Sequence, residues 1–128
     1  MDWKECIRQR IVKNVSEDED RSRSIRQVAK LKIDSADFLP DSHHLTKITL
    51  LYDALRELLE CIALERGYRV YNHECYKAFP KEVLRKSMES DRFDELRKIR
   101  NSINGKQFQR EEAEHIIKEL RYMISIFS

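Results

Sequence analysis

The chain has 128 residues, the size of one ordinary domain with a substantial buried core. Charged residues make up 38% and there are only two glycines and two prolines, too few turn-forming residues for a many-stranded sheet protein. Lysine and arginine total 25 against 23 acidic residues, so bulk charge gives no argument for nucleic-acid binding, which would need a local basic patch. The composition predicts an all-α fold: a single domain over residues 1–128, built as an antiparallel up-and-down bundle of four to five main helices.

Two helices are predicted before the first proline. The first runs from Asp2 to about Asn14, with Trp3, Ile7 and Ile11 at four-residue spacing. A capping box over residues 16–19 then starts a second helix, which ends near Phe38 because the residue before a proline avoids helical geometry. The residues predicted to be buried on this second helix are Ile25, Val28, Ala29, Ala36 and Leu39.

The basic residues of these two helices flank an acidic run over residues 17–20. One interpretation is a solvated face on which acidic and basic side chains compensate each other. The other is an RNA-binding or partner-binding edge. The spacing favours the solvated face.

The third helix has the most regular pattern of the chain. Apolar residues from Leu45 to Ile62 advance by alternating threes and fours, which predicts a central helix that contacts several neighbours. Gly67 stands where a left-handed residue ends a helix. Three further helices are predicted: a short one capped by Asn72, one that follows Ser90 and stops at Gly105, and a last one over roughly residues 109–126.

Three cysteines, Cys6, Cys61 and Cys75, form an odd set without a CxxC pair. Such a set predicts reduced thiols in a cytoplasmic protein, since secreted disulfide scaffolds carry a denser, even set. The first residues also lack the apolar core of a signal peptide. The predicted location is therefore the cytoplasm, without a membrane span.

Histidine and cysteine offer weak candidates for a metal site. His43 and His44 are expected at the start of the third helix, where exposed polar residues are ordinary. His73, Glu74 and Cys75 supply three donor types, but adjacent helical residues diverge and no second ligand pair is evident. We predict no metal site and no cofactor.

Residues 96–106 hold the strongest functional candidate, Arg100. At about 100° per residue, Arg100 lies roughly 40° from Leu96 and roughly 60° from Ile103, so it borders the apolar stripe. A half-buried guanidinium needs acceptors. These could be a carboxylate of the central helix (Asp53, Glu57 or Glu60) or a phosphate, and the residues expected to share an anion site with Arg100 are Arg97, Asn101, Asn104 and Lys106.

The sequence resembles the HEPN domains (higher eukaryotes and prokaryotes nucleotide-binding), especially their short archaeal members. The resemblance covers most of the chain and rests on the order and spacing of four segments: Asp20–Ile25, Leu51–Glu57, Glu65–Tyr68 and Ile99–Lys106. It implies a helical bundle that commonly forms a homodimer. It also implies a metal-independent ribonuclease, often the toxin of a toxin–antitoxin pair with a nucleotidyltransferase partner.

The ribonuclease motif of that family is incomplete here. The family pairs an arginine and a following polar residue, matched by Arg100 and Asn101, with a histidine after four to six intervening positions. This chain has Gly105, Lys106 and Gln107 at those positions, and an ordinary lysine stays protonated where a histidine exchanges protons. The resemblance thus implies an anion-binding remnant without the standard nuclease chemistry.

Three hypotheses follow. The first is an HEPN-like homodimer that binds RNA, a nucleotide or a nucleotidyltransferase through paired Arg100 segments. The second is a helical protein–protein interaction module with no nucleic-acid role. The third is an active ribonuclease that uses Lys106 or Asn104.

Overall fold

The computed structural model of the chain describes residues 1–16, 19–103 and 108–128. In chain order, the described elements are α1 (Trp3–Arg8), β1 (Val12–Asn14), α2 (Glu19–Phe38), α3 (His44–Glu65), β2 (Tyr68–Val70), α4 (His73–Ala78), α5 (Ser87–Ser102) and α6 (Arg110–Phe127). A 3-10 turn over Asp41–His43 precedes α3, and a π-helical turn over Phe79–Val83 follows α4. The predicted all-α bundle is confirmed.

The core of the bundle lies around α3, which packs most extensively against α2 and α6. Leu51, Leu55 and Leu59 of α3 are fully buried, as the apolar pattern predicted. Contacts of Ser22 with Glu65 and of Lys32 with Glu57 show that α2 and α3 are antiparallel. In the described ranges, no helix combines the length and the hydrophobicity that crossing a bilayer requires.

Several helices begin or end at the residues that the sequence predicted. The helix α2 ends at Phe38, two residues before Pro40. Gly67 follows α3 with a φ of 84°, a left-handed conformation that glycine adopts without a Cβ clash. Asn72 caps α4 through its side-chain oxygen, which accepts a hydrogen bond of 3.0 Å from the Cys75 amide.

The N-terminal segment differs from its prediction. The helix α1 ends at Arg8, and a left-handed residue, Arg10 with φ 61°, turns the chain into strand β1. That strand pairs antiparallel with β2, with Val12 opposite Val70. The predicted helix to Asn14 was wrong because a strand partner far along the chain supplies the backbone hydrogen bonds that a longer helix would have made.

The buried faces of α2 and α5 also differ in detail. Val28 was predicted to be buried but is exposed, and Ile25 and Leu39 are only half-buried. The buried residues of α2 include Ala29 and Ala36, whose small side chains allow α3 to approach closely. The helix α5 begins at Ser87, earlier than predicted, and the buried Ser90 hydroxyl donates to the Lys77 carbonyl at 2.6 Å.

A disulfide bond overturns the prediction of three reduced thiols. Cys6 of α1 and Cys75 of α4 are joined, and both are fully buried. Cys61 is the cysteine that stays a free thiol; it is buried in α3 and donates to the Ser22 carbonyl at 3.3 Å. The cross-link ties the N-terminal helix to the α4 side of the bundle, a proximity that the spacing of the cysteines did not reveal.

Candidate functional site

Arg100 lies in the last turn of α5, where the negative end of the helix dipole favours a cation. Its Nη2 atom is 3.6 Å from Oδ1 of Asp53 on α3. Asp53 is one of the three carboxylates predicted as possible partners of Arg100. The contact is long for an ion pair, and the Arg100 side chain keeps 38% of its surface exposed. Its Nε atom is buried without a hydrogen-bond acceptor among the described residues. Among the described residues, the guanidinium is therefore held by a carboxylate of its own chain but is incompletely paired.

Tyr52 of α3 is buried, and its ring stacks on that of Phe93 with the ring centroids 5.7 Å apart. The positive charges of three arginines influence the pKa of the Tyr52 hydroxyl. Burial raises the pKa of the Tyr52 hydroxyl, and the positive charges of Arg56, Arg97 and Arg100 oppose that rise. We call these three residues the arginine cluster. They come from α3 and α5, and the carboxylate of Asp53 acts on the same hydroxyl in the opposite direction.

The members of the arginine cluster are paired to different degrees. Arg97 is mostly buried and donates from Nε to Asp94 at 3.2 Å. Asp94 also lies 3.3 Å from Lys98 and 3.8 Å from Lys77. Although burial alone would raise it, the pKa of Asp94 is lowered by these hydrogen bonds and charges. Among the described residues, Arg97 is thus paired at 3.2 Å with Asp94, whereas the contact of Arg100 with Asp53 is longer, at 3.6 Å.

Arg56 is the cluster member that the prediction missed. It is half-buried on α3, and in the part of the chain that the structure describes no carboxylate lies within ion-pair distance of it. It lines a hollow of about 260 Å³ together with Val28 and Glu60. Its position four residues after Tyr52 puts it on the same side of the helix, and this spacing was the available signal.

The other predicted site residues are described only in part. Asn101 follows Arg100 on α5 and is exposed, so a ligand can reach it from solvent. Asn104 and Lys106 lie outside the described residues, as do Gly105 and Gln107. The structure therefore brings Arg97 and Arg100 to the seam between α3 and α5 and says nothing of the motif's second half.

The basic residues of α1 and α2 favour the solvated-face interpretation. Arg8 pairs with Glu5 at 2.6 Å, Arg23 with Asp20 at 3.3 Å, and Arg26 with Glu65 at 2.9 Å. These contacts are largely exposed, and such pairs contribute little individually.

The candidate metal donors around residue 73 do not combine into a site. Cys75 is committed to the disulfide, and His73 and Glu74 lie on the same short helix. Within the described ranges, no group of three histidine, cysteine or acidic side chains is placed to hold a metal ion.

An exposed apolar face of α2 adjoins the hollow lined by Arg56. Val28 forms part of that hollow, and Leu31 and Phe38 continue the same side of α2, with Phe38 91% exposed. We call Val28, Leu31 and Phe38 the α2 apolar face. A helical bundle ordinarily buries large apolar side chains. Because these three are exposed, another molecule can contact them.

No protein-family model matches the sequence, and neither a curated protein nor a solved structure shows significant similarity to it.

Proposed function

We propose that the chain is an HEPN-like domain that binds the phosphate of RNA or of a nucleotide at Arg100. The observation that supports this function is the incomplete pairing of Arg100: among the described residues, its guanidinium has one carboxylate oxygen, at 3.6 Å, and its Nε has no acceptor. A phosphate offers several charged acceptors to such a guanidinium. Arg56 adds a second positive charge that, like that of Arg100, acts on Tyr52.

The proposed activity is binding, without the cleavage typical of the resembled family. Phosphate binding needs only the fixed positive charge of Arg100, whereas attack by a ribose hydroxyl needs a group that exchanges protons near neutral pH. The positions of the family's histidine hold Gly105, Lys106 and Gln107. A ribonuclease that uses Lys106 or Asn104 is the alternative that the same experiment tests.

A homodimer is part of the proposal. The α2 apolar face lies next to the hollow lined by Arg56, so a second copy seated there would bring two arginine clusters towards one cleft. A two-fold interface uses the same patch on both subunits, which suits a single exposed helix face. Changing Leu31 to Asp places an unpaired charge in that interface, and sedimentation should then show a monomer where the unmodified chain is a dimer.

A nucleotidyltransferase protein is the partner that the family resemblance adds, as the antitoxin of a toxin–antitoxin pair. If such a protein is encoded beside this chain, co-expression should relieve any toxicity of the chain alone. If Arg100→Ala leaves the toxicity unchanged, the toxin role does not depend on Arg100.

Binding of labelled single-stranded RNA, measured by fluorescence anisotropy, tests the function. Arg100→Ala should weaken binding by about tenfold, the value of one charge-assisted hydrogen bond. It should also reduce the salt dependence, by about 0.7 in the slope of log affinity against log salt for each phosphate that the variant no longer neutralises. Asp53→Asn should strengthen binding, because it removes the carboxylate that competes with phosphate for Arg100.

The matched control is Arg110→Ala, which removes an exposed arginine of α6 whose ion-pair partner is Glu114 at 3.0 Å. Its RNA affinity should stay within about twofold of the unmodified chain. Equal affinities for Arg100→Ala and Arg110→Ala would remove Arg100 from the function. Cleavage of the RNA by the unmodified chain that is abolished in Arg100→Ala would establish the ribonuclease alternative.

A further inference from the structure

A groove between α5 and α6 lies outside the arginine cluster and its proposed function. It has a volume of about 580 Å³ and is lined from both helices. The ion pair of Arg92 with Glu119, at 3.3 Å, links the two helices across it. A trough between two packed helices has the shape into which a third helix packs in a bundle.

The groove has an apolar floor and apolar rims. Met123 of α6 is buried at its base, whereas Met88 on α5 and Tyr122 on α6 stand 83% and 64% exposed. Methionine adapts its shape to a partner, and tyrosine supplies a large rigid contact area, so both are typical anchors of binding surfaces. The described part of the chain leaves these two side chains largely uncovered, although Met123 in the same groove is buried.

The charges around the groove select the kind of partner. Its lining carries four carboxylates, those of Glu89, Asp91, Glu95 and Glu119, against two permanently cationic side chains, Arg92 and Lys118. Arg92 is already shared between Glu95 and Glu119 at 3.3 Å each, and Asp91 has only Lys77 at 3.9 Å among the described residues. The groove is therefore acidic on a chain whose overall charge is positive.

We infer that this groove binds a basic amphipathic helix of another protein. The apolar face of that helix would lie on Met88, Tyr122 and Met123, and its lysines or arginines would face Glu89 and Asp91 at the rim. This is the helix-in-groove mode of recognition, in which apolar residues spaced at i, i+3 or i+4, and i+7 provide the anchors. The surface acts independently of Arg100, so the chain carries a protein-binding face in addition to its proposed phosphate-binding seam.

The experiment uses the full chain and a fluorescein-labelled synthetic helix-forming peptide of about four turns, with leucines on one face and lysines elsewhere. The double variant Met88→Ser with Tyr122→Ser keeps every charge of the groove and changes only exposed side chains, so its fold should be retained. It should bind the peptide about tenfold more weakly than the unmodified chain. The matched control is Tyr71→Ser, which removes an exposed aromatic side chain just after β2, outside both proposed binding surfaces, and should bind the peptide normally.

Two further peptides test whether the pattern and the charge of the helix matter, and sedimentation of the unliganded chain tests whether a second copy occupies the groove. A peptide of scrambled order with the same charge, and one with glutamate in place of lysine, should both bind more weakly to the unmodified chain. Equal binding of the scrambled peptide, or full binding by the double variant, would overturn the inference. A dimer of the unliganded chain that dissociates in the double variant would show that a second copy occupies the groove, which also overturns it. Arg100→Ala should leave peptide binding unchanged, so this test and the RNA test fail independently.

Discussion

Reduction of the Cys6–Cys75 disulfide should lower the stability of this chain by several kcal/mol. The two cysteines are 69 residues apart. A cross-link over a loop of that length lowers the conformational entropy of the unfolded chain, which raises the free energy of unfolding by about 4 kcal/mol at 25 °C. For a domain of this size the loss corresponds to a decrease of about 15 °C in the midpoint of thermal unfolding. The effect should be large because the closed loop includes α2, α3 and both strands.

Urea unfolding of the oxidised and the reduced chain measures this difference without any amino-acid substitution. The thiol count in denaturant gives an independent check: one reactive thiol before reduction, from Cys61, and three after it. Burial raises the pKa of the Cys61 thiol, so in the folded chain this group should react slowly. Cys61→Ala is the matched control, since it removes a buried cysteine but no cross-link.

Two results would refute this reasoning. Three reactive thiols in the denatured but unreduced chain would show that the disulfide is not formed. Equal urea midpoints for the oxidised and the reduced chain would show that the cross-link does not restrict the unfolded state, because reduction leaves the folded contacts of both side chains in place.

Three further changes test the bundle itself. Leu55→Ala empties a fully buried position of α3 and should cost about 3 kcal/mol in urea unfolding. Gly67→Ala should cost about 1 kcal/mol in thermal unfolding, because the φ of 84° disfavours a side chain and the new Cβ would lie 3.3 Å from the Val15 carbonyl oxygen. Burial alone would raise the pKa of Glu65, but the hydrogen bond from Arg26 helps to lower it. This lowered pKa stabilises the fold above the ordinary carboxyl pKa, and the contribution is lost as the pH falls through the folded value. Glu65→Gln should therefore flatten the decrease of the urea midpoint between about pH 5 and pH 2.

The resemblance and the residue spacing predicted Arg100 as the main candidate but could not decide its partner. Asp53, Glu57 and Glu60 all lie on the central helix within reach of the predicted seam. In the structure, Asp53 forms the ion pair with Arg100, whereas Glu57 pairs with Lys32 on α2. Which carboxylate meets a given cation depends on how α2 and α5 are rotated against α3, and a single helix's periodicity contains no such information.

Local sequence determined the features that depend on near neighbours along the chain. The apolar repeat of α3 fixes which side of that helix is buried, Gly67 ends it, and Asn72 begins α4, because each effect acts within one or two helical turns. Tertiary structure decided the rest. The strand at Val12, the Cys6–Cys75 bond and the exposure of Phe38 all depend on elements distant in sequence, where the entropy of loop closure and the packing of whole helices choose between partners that look equally suitable in the sequence.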